Sequence, residues 1–372
     1  VALNPYTGDI LAMANYPRFD PNLPPSPNDP PMARSNLAIT TPFEPGSVFK
    51  VITLAAALET TSLTPDSVVP CGNGTLNLFG RIIHDHDRYA ALSMADVLAH
   101  SSNIGAIQIG LKVGDKRLYD YVSKFGFGQK TDIEMPGESG GLLRQVKQWT
   151  PSSIGSVAMG HEVSATSIQL ALAGAAVANG GLMVKPRIVA SRRKADGVAV
   201  ETAIEKPTRI LKPETTIQLR QMMEGVVLHG TGKKAILRGY TSGGKTGSAQ
   251  IYDFKAKAYT HTYNASFLGF APVANPQIVI AVTLEGTSGG GSGFGGVVAA
   301  PVFHDVATSA LRMLDVPKDI PETVVAKATK TNDKNFDNDL AIAGLGSAPV
   351  ELVQSVAKDS AMPASAGKAV FA

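Results

Sequence analysis

Ser47 and Lys50 stand three positions apart behind Pro45-Gly46, at the head of a run of good helix formers that reaches about Thr60. On a helix, positions i and i+3 lie on one face. Serine is a weak nucleophile until a base takes its proton. Lysine can be that base once burial or a neighbouring cation lowers its pKa. The residues around the pair are apolar on every side of the expected helix, which predicts a buried element. The start of such a helix offers backbone N–H groups and positive dipole to a developing oxyanion. Ser-x-x-Lys by itself is a common chance pattern, so the pair needs support from elsewhere in the chain.

Two further stretches supply candidates. Ser101-Ser102-Asn103 interrupts two helical runs, where a hydroxyl and an amide can project into a cleft. The same residue types are favoured as helix caps, and for this stretch taken alone that plainer reading carries the greater weight. Lys245-Thr246-Gly247-Ser248 follows Gly243-Gly244 on a predicted strand. Glycine weakens a strand unless another backbone must come close. A strand with this composition suits an extended peptide laid along its edge, the lysine giving positive charge and the hydroxyls binding a carboxylate. An ordinary amphipathic edge strand is the alternative.

The elements that must position these residues follow in order. Val1–Asn4 and Asp9–Ala14 flank a turn and read as a hairpin. Residues 17–46 are rich in Pro, Asn and Asp and read as a long loop. Residues 61–90 mix loop and short strand. Ser93 caps a helix with Asp96 at its third position, and a second helical run covers Ile104–Val113. Asp115 caps another helix to about Phe125, and residues 128–150 read as loop. Ser164–Asn179 is a strongly apolar helix, Leu182–Ala190 is strand-like, and Pro213 opens a helix to about Leu228. Ser242–Ile251, Tyr259–Ala271 and Gln277–Leu284 read as three strands joined by short turns, which argues for an antiparallel sheet. An apolar helix over Val297–Leu314 follows. Helices in the middle with strands at both ends predict an α+β fold, an antiparallel sheet packed with helices plus an α-rich subdomain. Past Val316 the periodicity fades, and residues 317–372 read as a linker or truncated appendage of a composition that suits disorder.

Length and composition agree with a globular protein: 372 residues, 44% hydrophobic and 17% charged. That length suffices for one large domain or two smaller ones. A net charge of +3 falls short of a nucleic-acid footprint. The single cysteine, Cys71, cannot form an intrachain disulfide and reads as inert. No stretch approaches the ~18 apolar residues of a membrane-spanning helix. The chain opens on Val1-Ala2-Leu3, already strand-like, and reads as a piece whose N-terminal part is missing.

Together, Ser47-x-x-Lys50, Ser101-Ser102-Asn103 and Lys245-Thr246-Gly247 occur in the order of the Ser-x-x-Lys, Ser-x-Asn and Lys-Thr-Gly set of penicillin-binding proteins and class A β-lactamases. The chain resembles the class B penicillin-binding proteins most, in their transpeptidase domain and over about residues 1–316. Asn4–Met13, Phe43–Lys50, Ser101–Gly105, Gly160–Gly181, Ser266–Pro272 and Gly295–Phe303 carry that likeness, with the septal, cell-division type the nearest. The resemblance implies a peptidoglycan D,D-transpeptidase with its site in the cleft between sheet and helical subdomain. It implies Ser47 as nucleophile, Lys50 as base, Ser101 as proton relay, Asn103 as holder of Lys50 and the substrate amide, and Lys245 as electrostatic partner. Thr246, Gly247 and Ser248 would bind substrate, the hydroxyls taking its carboxylate, and the amides of Ser47 and Ser248 would form the oxyanion hole. It implies no cofactor and no metal. Its implied partners are peptidoglycan stem peptides, β-lactam antibiotics and division-complex membrane proteins, at the extracytoplasmic face of a bacterial membrane, reached through an anchor that precedes this chain.

Other signals point elsewhere. Gly291–Gly296 fits G-x-G-x-x-G, but antiparallel strands before it argue against a dinucleotide site and for a flexible loop at the cleft end. His84-Asp85-His86-Asp87 places two histidines on one strand face, yet no further cluster completes a metal site, and a solvated loop fits better. His161-Glu162 has no assigned chemistry. Competing functions at the same serine are a D,D-carboxypeptidase or β-lactamase, for which Glu134 or Glu138 would have to activate water, and a non-enzymatic penicillin-binding sensor or scaffold.

Overall fold

A computed structural model of the chain describes residues 1–30, 32–195, 197–253, 255, 258–288 and 291–321. Residues 322–372, most of the stretch read as an appendage, lie outside the described residues. The unit that carries the candidate residues runs from Val1 to Asp319.

Three strands rich in β-branched and aromatic residues late in the chain build its sheet. Gly243–Asp253, Ala258–Ala271 and Ile278–Ser288 pair antiparallel in succession. Ala2–Leu3 pairs with the last of them and with Ile10–Ala12, completing a five-stranded sheet. Gly243–Asp253 is therefore an edge strand of this sheet, with one side not paired to another strand of it. Successive side chains point to opposite faces. Leu268, Phe270, Val279 and Ala281 enter one core, while Phe267, Ala271, Ile278 and Ile280 enter another. The Ser167–Ala178 helix covers the first face and the Ala300–Met313 helix the second. Every residue of Ser167–Ala178 is buried, which explains why it lacks a polar stripe. Thr166 and Gln169 close its start as a capping box.

The helical half is organised on Lys50–Thr60, whose first eight residues are buried. It packs against Asn103–Val113, Asp115–Lys124 and Pro213–Leu228. Ser93 caps the Met94–Ala99 helix as expected, its hydroxyl accepting from the Asp96 amide at 3.0 Å.

Several elements differ from the sequence reading. Gly46–Phe49 is a tighter 3-10 turn rather than the first turn of the α-helix, a common form of helix start. Leu37–Thr40 forms a short helix inside the expected 17–46 loop. Leu142–Leu143, within the expected 128–150 loop, pairs with Val163–Ser164, and a helix spans Ser153–Ala158. Gly114, not Asp115, joins the two helices, closing one as it opens the next. Of the expected 182–190 strand, Leu182–Met183 forms a ladder with Thr208–Arg209, and Arg187 makes an isolated parallel bridge to Asp9. Pro186 lacks the N–H that a continued ladder requires. The last helix divides at Ala299, where Pro301 sets a new first turn.

Candidate active site

Ser47 sits half-exposed on the 3-10 turn, while Val48 and Phe49 beside it are fully buried. The apolar neighbours fix the turn and leave the hydroxyl accessible. Gly247 of the edge strand shows how closely that strand approaches. A Cβ there would lie 2.3 Å from Ser266 Oγ and 2.9 Å from both the Pro45 carbonyl and a Val48 methyl. Glycine at 247 is what lets the strand lie against the turn that carries Ser47.

Lys50 and Lys245 are both fully buried, an expensive place for two cations. Lys50 Nζ donates to Asn103 Oδ1 at 2.8 Å, to the Ser101 carbonyl, and to Ser101 Oγ at 3.3 Å. Lys245 Nζ donates to the same Ser101 Oγ at 2.9 Å and to the Thr246 carbonyl at 3.1 Å. One serine hydroxyl thus bridges two amines. Burial pulls Lys50 down to about 7, against the opposing pull of the Asp85 carboxylate. Burial and then the charge on Lys50 hold Lys245 well below the ordinary lysine value. Two amines on one hydroxyl disfavour double protonation, so near neutrality one of them gives up its proton. A neutral Lys50 has two N–H bonds and a lone pair. Its long contact to Ser101 Oγ is the weakest of the three and the one released. That chemistry suits a base one turn from a serine nucleophile.

The structure thus brings Lys50, Ser101, Asn103 and Lys245 together, with Thr246, Gly247 and Ser248 continuing the strand beside Ser47. Thr246 is buried, its Oγ1 2.7 Å from Thr231 Oγ1. Ser248 Oγ accepts from the Gly295 amide at 2.9 Å, leaving its own proton to donate. Gly295 is the tightest neighbour of this strand. A Cβ there would come within 2.3 Å of the carbonyls of both Gly247 and Ser266. The glycine run at 291–296 is therefore no dinucleotide loop. Its helical end, from Gly295, packs onto the strand and so is not part of the flexible loop expected at the cleft end.

Sequence reasoning missed three contributors. Thr231 stands behind Thr246, after the Pro213–Leu228 helix. His84 offers its backbone carbonyl to Asn103 Nδ2 at 3.2 Å. Asp85, set aside with its neighbours as a solvated loop, accepts from Ser102 Oγ at 2.6 Å and from the amides of Asn103 and Ile104 at 2.5 and 3.0 Å. Its partners lie 17 to 19 residues onward, a separation that no local pattern reveals. Ser102 meanwhile caps Asn103–Val113 through the Gly105 amide at 2.9 Å. The cap falls to Ser102, while Ser101 and Asn103 turn to the two lysines.

Among the described residues no group of three or more His, Cys, Asp or Glu could hold a metal. His161 pairs with Glu44 at 2.8 Å, and Glu44 also accepts from the Glu162 amide at 2.9 Å, bracing the approach to the Ser47 turn. Glu138 accepts from Thr131, and Glu134 pairs with Arg192, so both carboxylates considered for water activation have other partners.

Comparison with known proteins places this arrangement. The model of the penicillin binding protein transpeptidase domain matches residues 1–308. The chain is 36% identical over 327 residues to penicillin-binding protein PbpB of Mycolicibacterium smegmatis, covering 85% of this chain and 50% of that protein. It is 36% identical over 323 residues to stage V sporulation protein D of Bacillus subtilis, covering 85% and 49%. The chain spans about half the length of these curated relatives. A crystal structure of penicillin binding protein 3 from Mycobacterium tuberculosis, complexed with aztreonam, is similar with a TM-score of 0.77 and 33% identity, covering 86% of this chain and 73% of that one. The transpeptidase domain of penicillin-binding protein 3 from Burkholderia pseudomallei gives a TM-score of 0.73 and 33% identity, covering 86% and 89%. The chain belongs to the penicillin-binding protein transpeptidase family, in its class B branch.

Proposed function

We propose that residues 1–316 form a peptidoglycan D,D-transpeptidase domain working through an acyl-enzyme on Ser47. The observation that carries this reading is the hydrogen-bonded set of Lys50, Ser101, Asn103 and Lys245, drawn from three separate elements and gathered one turn from Ser47. A stem peptide lies along the edge strand, its terminal carboxylate on the Thr246 and Ser248 hydroxyls. Lys50 takes the Ser47 proton as Oγ attacks the carbonyl between the two terminal D-alanines. The amides of Ser47 and Ser248 receive the oxyanion. Ser101, between the two lysines, passes a proton to the leaving D-alanine amine, and Asn103 holds Lys50 and the substrate amide. An amine of a second stem peptide then attacks the Ser47 ester, forming the cross-link and freeing the serine. A β-lactam presents a strained amide to the same serine and stays attached, in keeping with the aztreonam complex of the M. tuberculosis relative.

The domain acts on the extracytoplasmic side of a bacterial membrane, where its substrate is, in septal wall synthesis with membrane partners of the division complex. Hydrolysis as the main reaction is disfavoured because Glu134 and Glu138 are engaged elsewhere. Labelled-penicillin acylation tests the reading. Wild type takes up stable label and Ser47→Ala takes none. A folded wild type without label defeats the proposal, label on Ser47→Ala moves the nucleophile, and rapid release of label favours a β-lactamase.

A further inference from the structure

We propose that Asp85 is a positioning residue of this site, holding the Ser101–Asn103 turn against Lys50 and supplying negative charge beside that buried amine. The inference rests on Ser47 being the acylated residue. It adds a group from outside the three recognised stretches, on the loop that follows the Arg81–His84 strand.

Ser101 is a strained serine. Ser101 has φ +60°, in the left-handed region that a serine rarely occupies. Such a conformation persists only where the surroundings over-determine it. Lys50 and Lys245 bind Ser101 from one side. From the other side Asp85 takes the next three donors of the chain: the Ser102 hydroxyl, the Asn103 amide and the Ile104 amide. The last two are unpaired N–H groups at the start of the eleven-residue Asn103–Val113 helix, where a carboxylate is well placed. The Asn103 backbone is thereby pinned through its own N–H. Its side chain is pinned as well, Nδ2 to the His84 carbonyl and Oδ1 to Lys50. The loop that carries Asp85 thus grips the turn at both the backbone and the amide, and sets where Asn103 Oδ1 and Ser101 Oγ meet the lysines.

Asp85 also acts through its charge. Lys50 acts electrostatically on Lys245 of the edge strand, and Asp85 acts on Lys50, Cys71 and Tyr89. Burial keeps the Cys71 thiol raised, with Asp85 adding to it, and Tyr89 is raised by burial and then by the carboxylates near it. Both therefore stay neutral, and Asp85 is the anion that opposes the loss of the Lys50 proton. It raises Lys50 against the pull of burial. Without it Lys50 would lose its proton at lower pH, and the geometry that presents Lys50 to Ser47 would loosen.

The test is penicillin acylation of Asp85→Asn as a function of pH. Proline and glycine are not introduced, and Asn can still accept from the two amides. The expected result is a fall in the acylation rate constant of about tenfold or more at neutral pH, the scale for a misplaced catalytic group. The limb of the pH profile that reports the base moves to lower pH, because the anion that favoured the protonated amine is gone. Asp85→Glu keeps the charge and displaces it by one methylene, so it loses rate with the limb in place. A folded Asp85→Asn protein that acylates as fast as wild type overturns the proposal. So does one whose rate falls with the limb unmoved, since that is the signature of loosening alone. If Asp85→Asn fails to fold, an Asp85→Glu limb displaced from wild type, or an unchanged Asp85→Glu rate, overturns it equally. Failure of wild type to acylate at all would instead strike at the assignment of Ser47.

Discussion

The two sides of the candidate site are held by different forces. On one side, the Ser47 turn and the Lys50–Thr60 helix are set by packing. Val48, Phe49, Ile52, Leu54 and the alanines Ala55 to Ala57 are all fully buried, and the Phe49 ring meets Phe127 with centroids 5.1 Å apart. On the other side, the Ser101–Asn103 turn is set by polar contacts to Asp85, His84, Lys50 and Lys245. Packing is insensitive to pH but intolerant of lost volume. A polar clamp tolerates little volume change as well, but its strength depends on charge and on complete pairing. The site therefore joins a rigid nucleophile to a turn whose geometry is electrostatic, and mutations should separate the two.

Lys50→Met strikes the junction and should have the largest effect. It keeps the apolar stem and removes the amine. Acylation by penicillin should fall about 10²–10⁴-fold, the range for losing a general base. In wild type the acylation rate should rise with pH through about 7, where Lys50 loses its proton. Stability should respond in the same direction. Between about 7 and the ordinary lysine value of 10.5, the unfolded chain holds a proton that folded Lys50 has lost. Stability then rises with pH across that window. Lys245 acts with the same sign, so the slope should be reduced in Lys50→Met rather than abolished. Thermal melts from pH 7 to 10 measure it, and equal slopes in the two proteins would show that Lys50 is charged in the folded state.

Phe49→Ala tests the packed side. Its ring is fully buried one residue before Lys50, and truncation leaves a cavity that its neighbours fill only in part. The expected loss is about 3–5 kcal/mol, seen as a lower denaturation midpoint with an unaltered pH dependence. A loss below about 1 kcal/mol would mean that the helix is held by something other than this core.

How much of this was legible in the sequence follows the same division. The nucleophile helix and the long strands were readable because packing leaves a local trace: a run of apolar residues for Lys50–Thr60, β-branched and aromatic residues between turn signals for Ala258–Ala271 and Ile278–Ser288. Ser47, Lys50 and Lys245 were readable because each lies in a short linear pattern. The polar clamp leaves no trace of that kind. Asp85 stands between two histidines in a charged run and resembles solvated loop, because its donors belong to a turn far along the chain. The same limit hid Gly295, whose glycine is needed by the carbonyls of two other strands rather than by its own neighbours. Short elements failed for a simpler reason. Ser153–Ala158 spans six residues, too few for a helical period to declare itself.

Ser102→Ala tests the polar side and should have the smallest effect of the series. Ser102 is buried, its hydroxyl donating to Asp85 at 2.6 Å and accepting from Gly105 at 2.9 Å. Removing it leaves a carboxylate oxygen short of a donor and a helix amide without its cap. Each is a loss of about 1 kcal/mol in isolation, and together with the charged acceptor they should cost about 1–3 kcal/mol of stability. Asp85 retains the amides of Asn103 and Ile104, so the turn should keep its conformation and acylation should fall far less than in Lys50→Met. Denaturant unfolding with parallel acylation kinetics gives both numbers. A cost matching that of Phe49→Ala would erase the distinction between a packed and a clamped side. No cost at all would mean that the two backbone amides suffice to hold Asp85, and that Ser102 serves only to fill space beside Cys71, whose sulfur lies 3.7 Å from its hydroxyl.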